Sequence, residues 1–167
     1  MRTNSDDRLG EAGPRERDCG ARRPGRRGAE RVQHGRAIVV DDDVLIRRML
    51  SEALEARGFE VLDAGDGVAG LQLLSETILG VDVLVTDVLM PGLNGLEFVR
   101  TIRTAGGESE LCIVAVTASE DPLRRTMLLD AGVDLVLRKD LGPAGISVAV
   151  EAAVLGSRAK RRRLASM

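Results

Sequence analysis

The amino-acid sequence predicts an α/β fold in which a parallel β-sheet is covered by helices on both faces. Short apolar runs alternate five times with longer segments whose apolar residues recur at helical spacing. Acidic residues, a threonine and a lysine follow four of these runs, and open α/β sheets carry their functional groups at that edge. A chain of 167 residues, 44% hydrophobic and 30% charged, is long enough for one such domain.

The apolar runs between the helical segments are predicted as strands. We place them at residues 37–40, 59–62, 81–86, 111–116 and 133–137. Continuously apolar strands that are separated by helices are typical of a sheet buried on both faces, which favours parallel pairing.

Five helices are predicted, one after each strand, at residues 44–57, 66–78, 94–104, 122–131 and 143–158. The first is predicted to carry one apolar face, formed by Leu45, Ile46, Met49, Leu50 and Leu54, and to stop at Gly58. The second has an apolar stripe of Val68, Leu71, Leu73 and Leu74. Pro143 stands in the first turn of the last helix, where its missing N–H is tolerated.

The charge is unevenly distributed, although the net charge is only −2. Residues 1–36 carry ten arginines against six acidic residues, and residues 158–167 carry four arginines and one lysine. The acidic excess therefore lies between them. We interpret residues 1–35 as a disordered basic extension, residues 36–157 as the folded domain and residues 158–167 as a basic C-terminal tail.

We interpret the first segment as a solvated extension without a function of its own, and two alternatives are open. It either contacts nucleic acid or an acidic partner, or precedes a natural start that lies nearer Arg36. Nothing after residue 157 is long enough for a helix-turn-helix output domain, so no direct DNA-binding domain is expected.

Composition excludes several other classes of protein. The longest uncharged run is residues 141–150, whereas a membrane span needs about 20 residues, and no secretory signal is visible. Cys19 and Cys112 form neither a metal-binding spacing nor a disulfide framework, so a cytoplasmic location is expected. His34 is interpreted as a solvated tail residue. The absence of Trp and Tyr leaves almost no stacking platform for single-stranded nucleic acid.

The polar residues that follow the strands suggest a chemistry. The run Asp41 to Asp43 follows the first strand, Asp87 the third, Thr117 the fourth and Lys139 the fifth. One aspartate of that run is expected to cap the next helix. Clustered carboxylates repel one another unless a cation binds, and oxygen ligands suit Mg²⁺. Because a hydroxyl and an ammonium suit phosphoryl oxygens, these residues indicate Mg²⁺-assisted phosphoryl transfer to a carboxylate.

Four stretches carry a family pattern: IVVDDD at 38–43, VTDVLMPGLNG at 85–95, VTA at 116–118 and RK at 138–139. Their order and separations resemble the receiver domain of two-component response regulators, over residues 36–156. The segment from Asp87 to Gly95 is the most specific part of the match. The resemblance implies a flavodoxin-like (βα)5 fold, a doubly wound five-stranded parallel sheet of strand order 2-1-3-4-5.

The resemblance implies an acceptor and a metal site. Asp87 would accept a phosphoryl group from the phosphohistidine of a sensor histidine kinase or of a phosphotransfer protein. Asp42, Asp87 and the backbone carbonyl of Leu89 would bind Mg²⁺, and Asp41 would help through a water molecule.

The resemblance also implies a switch. Thr117 would donate its hydroxyl to the aspartyl phosphate, Lys139 would pair with the phosphoryl group, and the fourth helix, fifth strand and fifth helix would repack. Two positions depart from the family pattern. Val136 stands where an aromatic side chain often follows the motion of the threonine, which puts that coupling in question. Asp140 replaces the common proline after the lysine, so no cis peptide is expected there.

A receiver of this kind is expected to be a signalling domain rather than an enzyme. It would phosphorylate itself slowly from small phosphodonors, lose the phosphate slowly, and act on an output protein partner. The sequence identifies neither that partner nor the oligomeric state, and it predicts no membrane contact.

Three other interpretations are open. Residues 65–70 match the dinucleotide fingerprint G-x-G-x-x-G, with a glycine-rich helix entry as the simpler account. Residues 39–44 resemble the D-x-D opening of haloacid-dehalogenase-type Mg²⁺-dependent phosphatases, in which Asp41 would be the nucleophile and Asp43 the acid/base. The chain could also be a degenerate receiver that acts only as a binding module.

Overall fold

A computed structural model of the protein describes residues 34–77, 80–92, 94–106 and 111–166. Nearly all of the predicted extension 1–35 lies outside the described residues. Cys19, Leu93 of the family motif and Ile78, the predicted end of the second helix, lie outside them as well.

The described chain alternates strand and helix, as predicted. The strands are β1 (Gly35–Val40), β2 (Phe59–Ala64), β3 (Val81–Asp87), β4 (Cys112–Thr117) and β5 (Leu135–Arg138). The helices are α1 (Val44–Ala56), α2 (Gly67–Thr77), α3 (Gly95–Gly106), α4 (Pro122–Asp130) and α5 (Gly142–Ala165). A 3₁₀ turn, Lys139–Leu141, joins β5 to α5. Most boundaries lie within two residues of their predicted positions.

The five strands form one sheet of order β2-β1-β3-β4-β5, and every pair is parallel. This is the doubly wound arrangement expected from the sequence. It brings the carboxyl ends of all five strands to one edge, with β1 and β3 adjacent at the point where the strand order reverses.

The helices cover both faces of the sheet. Along β1, Ile38 and Val40 face a core cluster that includes residues of α2, α3 and α4, whereas Ala37 and Val39 face a second cluster with α1 and α5. Successive side chains of a strand point to opposite faces, so a continuously apolar strand fills both cores.

The start and end of α1 are where the sequence predicts them, but only part of its apolar face is buried. Asp43 caps the helix: its Oδ1 accepts the N–H groups of Leu45 at 2.8 Å and Ile46 at 3.1 Å. Gly58 follows its C-cap with a φ of 90°, a conformation that favours glycine. Within the apolar face, Leu45 and Met49 are 66% and 44% exposed, whereas Leu50 and Leu54 are buried.

The apolar stripe predicted for α2 is covered only in part. Leu74 is buried and Leu71 and Leu73 pack against the core, but Val68 is 68% exposed. Periodicity identifies which residues share a helix face and carries no information on how much of that face neighbouring elements cover.

The glycine-rich entry to α2 has a packing role. A Cβ atom on Gly70 would lie 2.9 Å from Cζ of the fully buried Phe98 and 3.0 Å from Cγ2 of Val40. The match of residues 65–70 to a dinucleotide fingerprint is thus accounted for in part by close packing of α2 on β1 and α3.

We expect Gly70→Ala to lower the free energy of unfolding by about 1 kcal/mol or more, because overpacking outweighs the gain in helix propensity. Urea denaturation measures the change. Gly156→Ala is the matched control, since its Cβ would meet no atom within 4 Å. It should stabilise the protein by roughly 0.5–1 kcal/mol. Equal effects of the two substitutions would contradict this account of Gly70.

Two predictions near the chain ends need correction. α5 was expected to end at about Arg158, but it continues to Ala165, so most of the basic segment 158–167 is helical. Lysine and arginine are good helix formers, and cations suit a helix C-terminus. His34 was expected to be solvated, but its side chain is only 19% exposed and its ring centroid lies 5.7 Å from that of Phe59. Its backbone N–H donates to Gly58, which holds this residue on the fold.

None of the helices in the described part of the chain combines the length and the hydropathy that crossing a membrane requires.

Candidate functional site

The strand registers bring the four predicted chain positions to one edge of the sheet. Asp41 directly follows β1, Asp87 ends β3, Thr117 ends β4 and Lys139 directly follows β5. The order of the strands therefore places the two carboxylates side by side, with the hydroxyl and the ammonium beyond them.

Lys139 reaches both buried carboxylates. Its Nζ donates to Oδ2 of Asp87 at 2.7 Å and to Oδ2 of Asp41 at 3.0 Å. β5 lies two strands from β3, at about 4.8 Å per strand, so only a long side chain can cross this distance. Burial lowers the pKa of Lys139, but the hydrogen bonds to Asp87 and Asp41 outweigh burial and leave the pKa raised. The ammonium is therefore charged at neutral pH.

The loop after β3 fixes the carboxylate of Asp87. Its Oδ1 accepts the backbone N–H groups of Val88 at 2.6 Å and Leu89 at 3.2 Å. Gly95 donates its N–H to the carbonyl of Val88, and a Cβ there would lie 2.6 Å from the carbonyl oxygen of Asp87. The final glycine of the family motif thus permits a close backbone approach behind Asp87.

Three carboxylates converge at this edge. One ligand oxygen each from Asp41, Asp42 and Asp87 lies within 4.8 Å of the others. Asp41 and Asp87 are buried, whereas Asp42 is exposed. Burial raises the pKa of Asp41, and the hydrogen bond from Lys139 opposes that shift. One ammonium offsets only part of this charge, and a donor set of oxygens alone fits Mg²⁺, which needs one or two carboxylates and keeps several waters.

Arg47 holds the backbone of Asp41, a contact that sequence reasoning missed. Its Nη1 donates to the carbonyl of Asp41 at 2.8 Å, and its Nε donates to Asp63 at 3.2 Å. The Oδ1 of Asp41 also accepts the N–H of Asp43 at 2.9 Å. The partner of Arg47 at the site is a backbone carbonyl, which every residue carries, so no pattern of residue types could indicate the contact.

The loop between β4 and α4 is ordered by side-chain hydrogen bonds. The buried Thr117 accepts the N–H of Ser119 at its hydroxyl oxygen, at 3.0 Å. Ser119 in turn accepts the N–H of Asp121, which caps α4 by accepting from Leu123. Thr117 is therefore hydrogen-bonded to the loop that would have to move if its hydroxyl approached Asp87.

Asp140, which replaces the family's proline, takes part in an ion cluster at the rim of the site. Arg138 donates to it from Nε at 3.0 Å and from Nη2 at 2.5 Å, and also contacts Glu120. The bond from Arg138 lowers the pKa of Asp140. The cluster connects the β4–α4 loop to the turn after β5. Its side chains are about half exposed or more, so it contributes little to global stability.

Val136, the other position that departs from the family pattern, is buried beneath α4. Its carbonyl accepts Nη1 of Arg125 at 3.0 Å, so a guanidinium makes this contact between α4 and β5. A groove of about 200 Å³ beside it is lined by Thr117 and Val136 among other residues. There is thus open space next to both Thr117 and Val136.

A buried carboxylate pair bridged by a lysine, at the switch point of a doubly wound sheet, defines the class of this protein as an α/β domain with an acidic site. The comparisons with known proteins specify the family. The family described as "Response regulator receiver domain" matches residues 37–151. The chain belongs to the response regulator receiver domain family.

Named relatives agree with this assignment. The response regulator MprA of Mycobacterium ulcerans is 40% identical over 104 residues, which is 62% of this chain and 43% of that protein. MprA of Mycobacterium avium is also 40% identical over 104 residues, 62% of this chain and 44% of that protein. This chain thus spans less than half the length of these relatives.

Solved structures show the same fold. The signal receiver domain of a NarL response regulator from Mycobacterium tuberculosis matches with a TM-score of 0.66 and 29% identity, covering 73% of this chain and 97% of that one. The chemotaxis protein CheY4 of Vibrio cholerae matches with a TM-score of 0.66 and 28% identity, covering 71% and 98%. Neither they nor the MprA relatives support the phosphatase interpretation with Asp41 as nucleophile.

Proposed function

We propose that Asp87 accepts a phosphoryl group from the phosphohistidine of a sensor histidine kinase or a phosphotransfer protein. Phosphorylation then switches a protein-interaction surface. The observation that carries this proposal is the buried carboxylate of Asp87, fixed by two backbone N–H groups and contacted by Lys139 at 2.7 Å. The family to which the chain belongs supports it.

The transfer needs a free carboxylate oxygen. An oxygen of Asp87 attacks phosphorus, the bond from phosphorus to the histidine nitrogen breaks, and its electron pair returns to the imidazole. The contact to Lys139 is the exchangeable one, because an ammonium on a long stem can follow the incoming phosphoryl oxygens. The backbone N–H groups of Val88 and Leu89 keep the rest of the carboxylate oriented.

The acidic residues would hold a metal ion. Asp42, Asp87 and the backbone carbonyl of Leu89 would bind Mg²⁺, with Asp41 acting through a water molecule. The bound ion would supply positive charge for the phosphoryl oxygens. Asp41 also positions Lys139, because its Oδ2 accepts a hydrogen bond from the Lys139 ammonium at 3.0 Å.

The switch begins at Thr117. Its oxygen accepts the N–H of Ser119, so its hydroxyl proton is the part that can be offered to a phosphoryl oxygen. Moving toward Asp87 would draw the β4–α4 loop along and change the surface formed by α4, β5 and α5. Val136 has no aromatic ring to follow this motion, so we assign the coupling to the loop and to the contact of Arg125 with β5.

Four further expectations belong to this proposal. Residues 36–157 would form the signalling domain, with basic segments 1–35 and 158–167 on either side. The protein would be cytoplasmic. It would phosphorylate itself slowly from small phosphodonors and lose the phosphate slowly. Its output would be contact with another protein.

Intact mass after incubation with acetyl phosphate and Mg²⁺ tests the proposal. The expected result is a gain of the mass of one phosphoryl group. A protein that neither gains this mass nor binds beryllofluoride would be a degenerate receiver that acts only by binding.

Removal of divalent cations should slow labelling by acetyl phosphate about 100-fold or more, since a bound cation is worth several kcal/mol of transition-state stabilisation. The measurement compares rates of mass gain in EDTA and after restoring Mg²⁺. Thermal unfolding in both buffers is the control for the fold. Equal labelling rates with and without the cation would contradict the metal assignment.

A further inference from the structure

The last turns of α5 form a basic surface beyond the core. Val154 is the last buried residue of this helix among those whose burial is described, and no acidic residue follows Glu151 in the sequence. Arg158 is half-buried, whereas Lys160, Arg162 and Arg163 are exposed. We call residues 158–163 the basic end of α5.

Acidic residues near the amino-terminal edge of the sheet are already paired. Asp82 accepts from Arg158 at 2.6 Å and from the backbone N–H of Arg36 at 3.0 Å. Glu60 pairs with the side chain of Arg36 at 3.0 Å. Among the described residues, Lys160, Arg162 and Arg163 form no ion pair. The basic end therefore carries a surplus of positive charge.

Strand β1 begins beside this surface. A Cβ on Gly35, the first residue of β1, would lie 2.5 Å from Nη2 of Arg158. Residues 1–33, which precede β1 in the sequence, carry nine arginines and six acidic residues. Because strands β1 and β3 run away from this edge, the surface lies at the opposite end of the sheet from Asp87.

We propose that the basic end of α5 binds the phosphate backbone of duplex nucleic acid. Successive residues of a helix are rotated by roughly 100°, so the exposed cations Lys160, Arg162 and Arg163 point to different sides of the helix. A flat anionic surface meets one side of such a helix, whereas a groove of a duplex offers phosphates on both sides. Such contacts are sequence-independent and depend on salt.

Two other polyanions fit less well. A helix that lies on a membrane needs a face of large apolar residues, and residues 156–163 contain glycine, serine and alanine as their only uncharged residues. Single-stranded nucleic acid is bound largely by stacking on aromatic side chains, and both phenylalanines of the chain are buried.

The test uses fluorescence anisotropy of a labelled DNA duplex of mixed sequence, titrated with the full chain at several salt concentrations. We expect a dissociation constant of about 10⁻⁴–10⁻⁶ M near physiological salt. The triple variant Lys160→Gln, Arg162→Gln, Arg163→Gln should bind at least about tenfold more weakly at low salt. It should also reduce the slope of log K against log salt by up to about 2.7, at roughly 0.9 per lost phosphate contact.

The matched control removes the same charge elsewhere, as Arg48→Gln, Arg100→Gln, Arg124→Gln, and should retain most of the affinity. Circular dichroism checks that both variants fold. If the triple variant does not fold, the titration is repeated with the single variant Arg162→Gln. Failure of the duplex to bind, or equal loss in the two variants, would overturn the proposal. So would binding of polyglutamate or phosphatidylserine vesicles more tightly than the duplex, which would assign the surface to an acidic protein or to a membrane.

Discussion

Asp87→Asn is expected to take up no phosphoryl group from acetyl phosphate, while the protein keeps its fold. An amide oxygen is a poor nucleophile, and the side chain keeps its size and its backbone hydrogen bonds at Oδ1. The substitution also removes one of two buried carboxylates that face each other across Lys139, so the thermal midpoint should be equal to or above that of the unchanged protein. Intact mass and circular dichroism measure the two results.

Asp63→Asn serves as the control for this loss. Asp63 is an exposed carboxylate on β2 that pairs with Arg47, and its replacement should leave labelling in place. Asp41→Asn separates the receiver from the phosphatase interpretation. Labelling that survives in Asp87→Asn and disappears only in Asp41→Asn would contradict the assignment of the acceptor.

Lys139→Met is expected to lower the free energy of unfolding by about 3 kcal/mol in the absence of divalent cations. The change leaves the carboxylates of Asp41 and Asp87, 1% and 5% exposed, facing each other without the ammonium. Urea denaturation in EDTA measures the loss. Millimolar Mg²⁺ should stabilise this variant more than it stabilises the unchanged protein. The bound Mg²⁺ then offsets the charge of the two carboxylates that the ammonium no longer offsets.

Lys160→Met is the matched control for this variant, since Lys160 is exposed near the end of α5. Surface substitutions of this kind usually change stability by less than about 0.5 kcal/mol. If the two lysine variants lost similar stability, or if Mg²⁺ failed to distinguish Lys139→Met from the unchanged protein, the proposed charge balance at the site would be contradicted.

The fold could be predicted from the sequence because its strands are continuously apolar and its helices periodic. β1, with Ala37 to Val40 fully buried, shows why: a strand inside a sheet covered on both faces has no polar side chains to obscure the pattern. The order of the strands came from the family resemblance. The ends of helices could be predicted less closely. The charge of residues 158–165 indicated a tail, but lysine and arginine favour helix, and α5 continues through them.

The candidate site could be predicted as far as residue types at strand ends define it. Asp41, Asp87 and Lys139 were expected to meet because parallel strands end at a common edge, and their hydrogen bonds agree with that expectation. Contacts that pass through backbone carbonyls could not be predicted. Arg47 on the carbonyl of Asp41 and Arg125 on the carbonyl of Val136 leave no residue-pair pattern in the sequence.

Trapping the acyl phosphate locates the acceptor most directly. Sodium borohydride reduces an aspartyl phosphate to homoserine, which marks the modified residue for peptide mass spectrometry. After incubation with acetyl phosphate and Mg²⁺, we predict homoserine at position 87 and unchanged aspartate at positions 41, 42 and 43. Homoserine at position 41 with aspartate retained at 87 would contradict the proposed function.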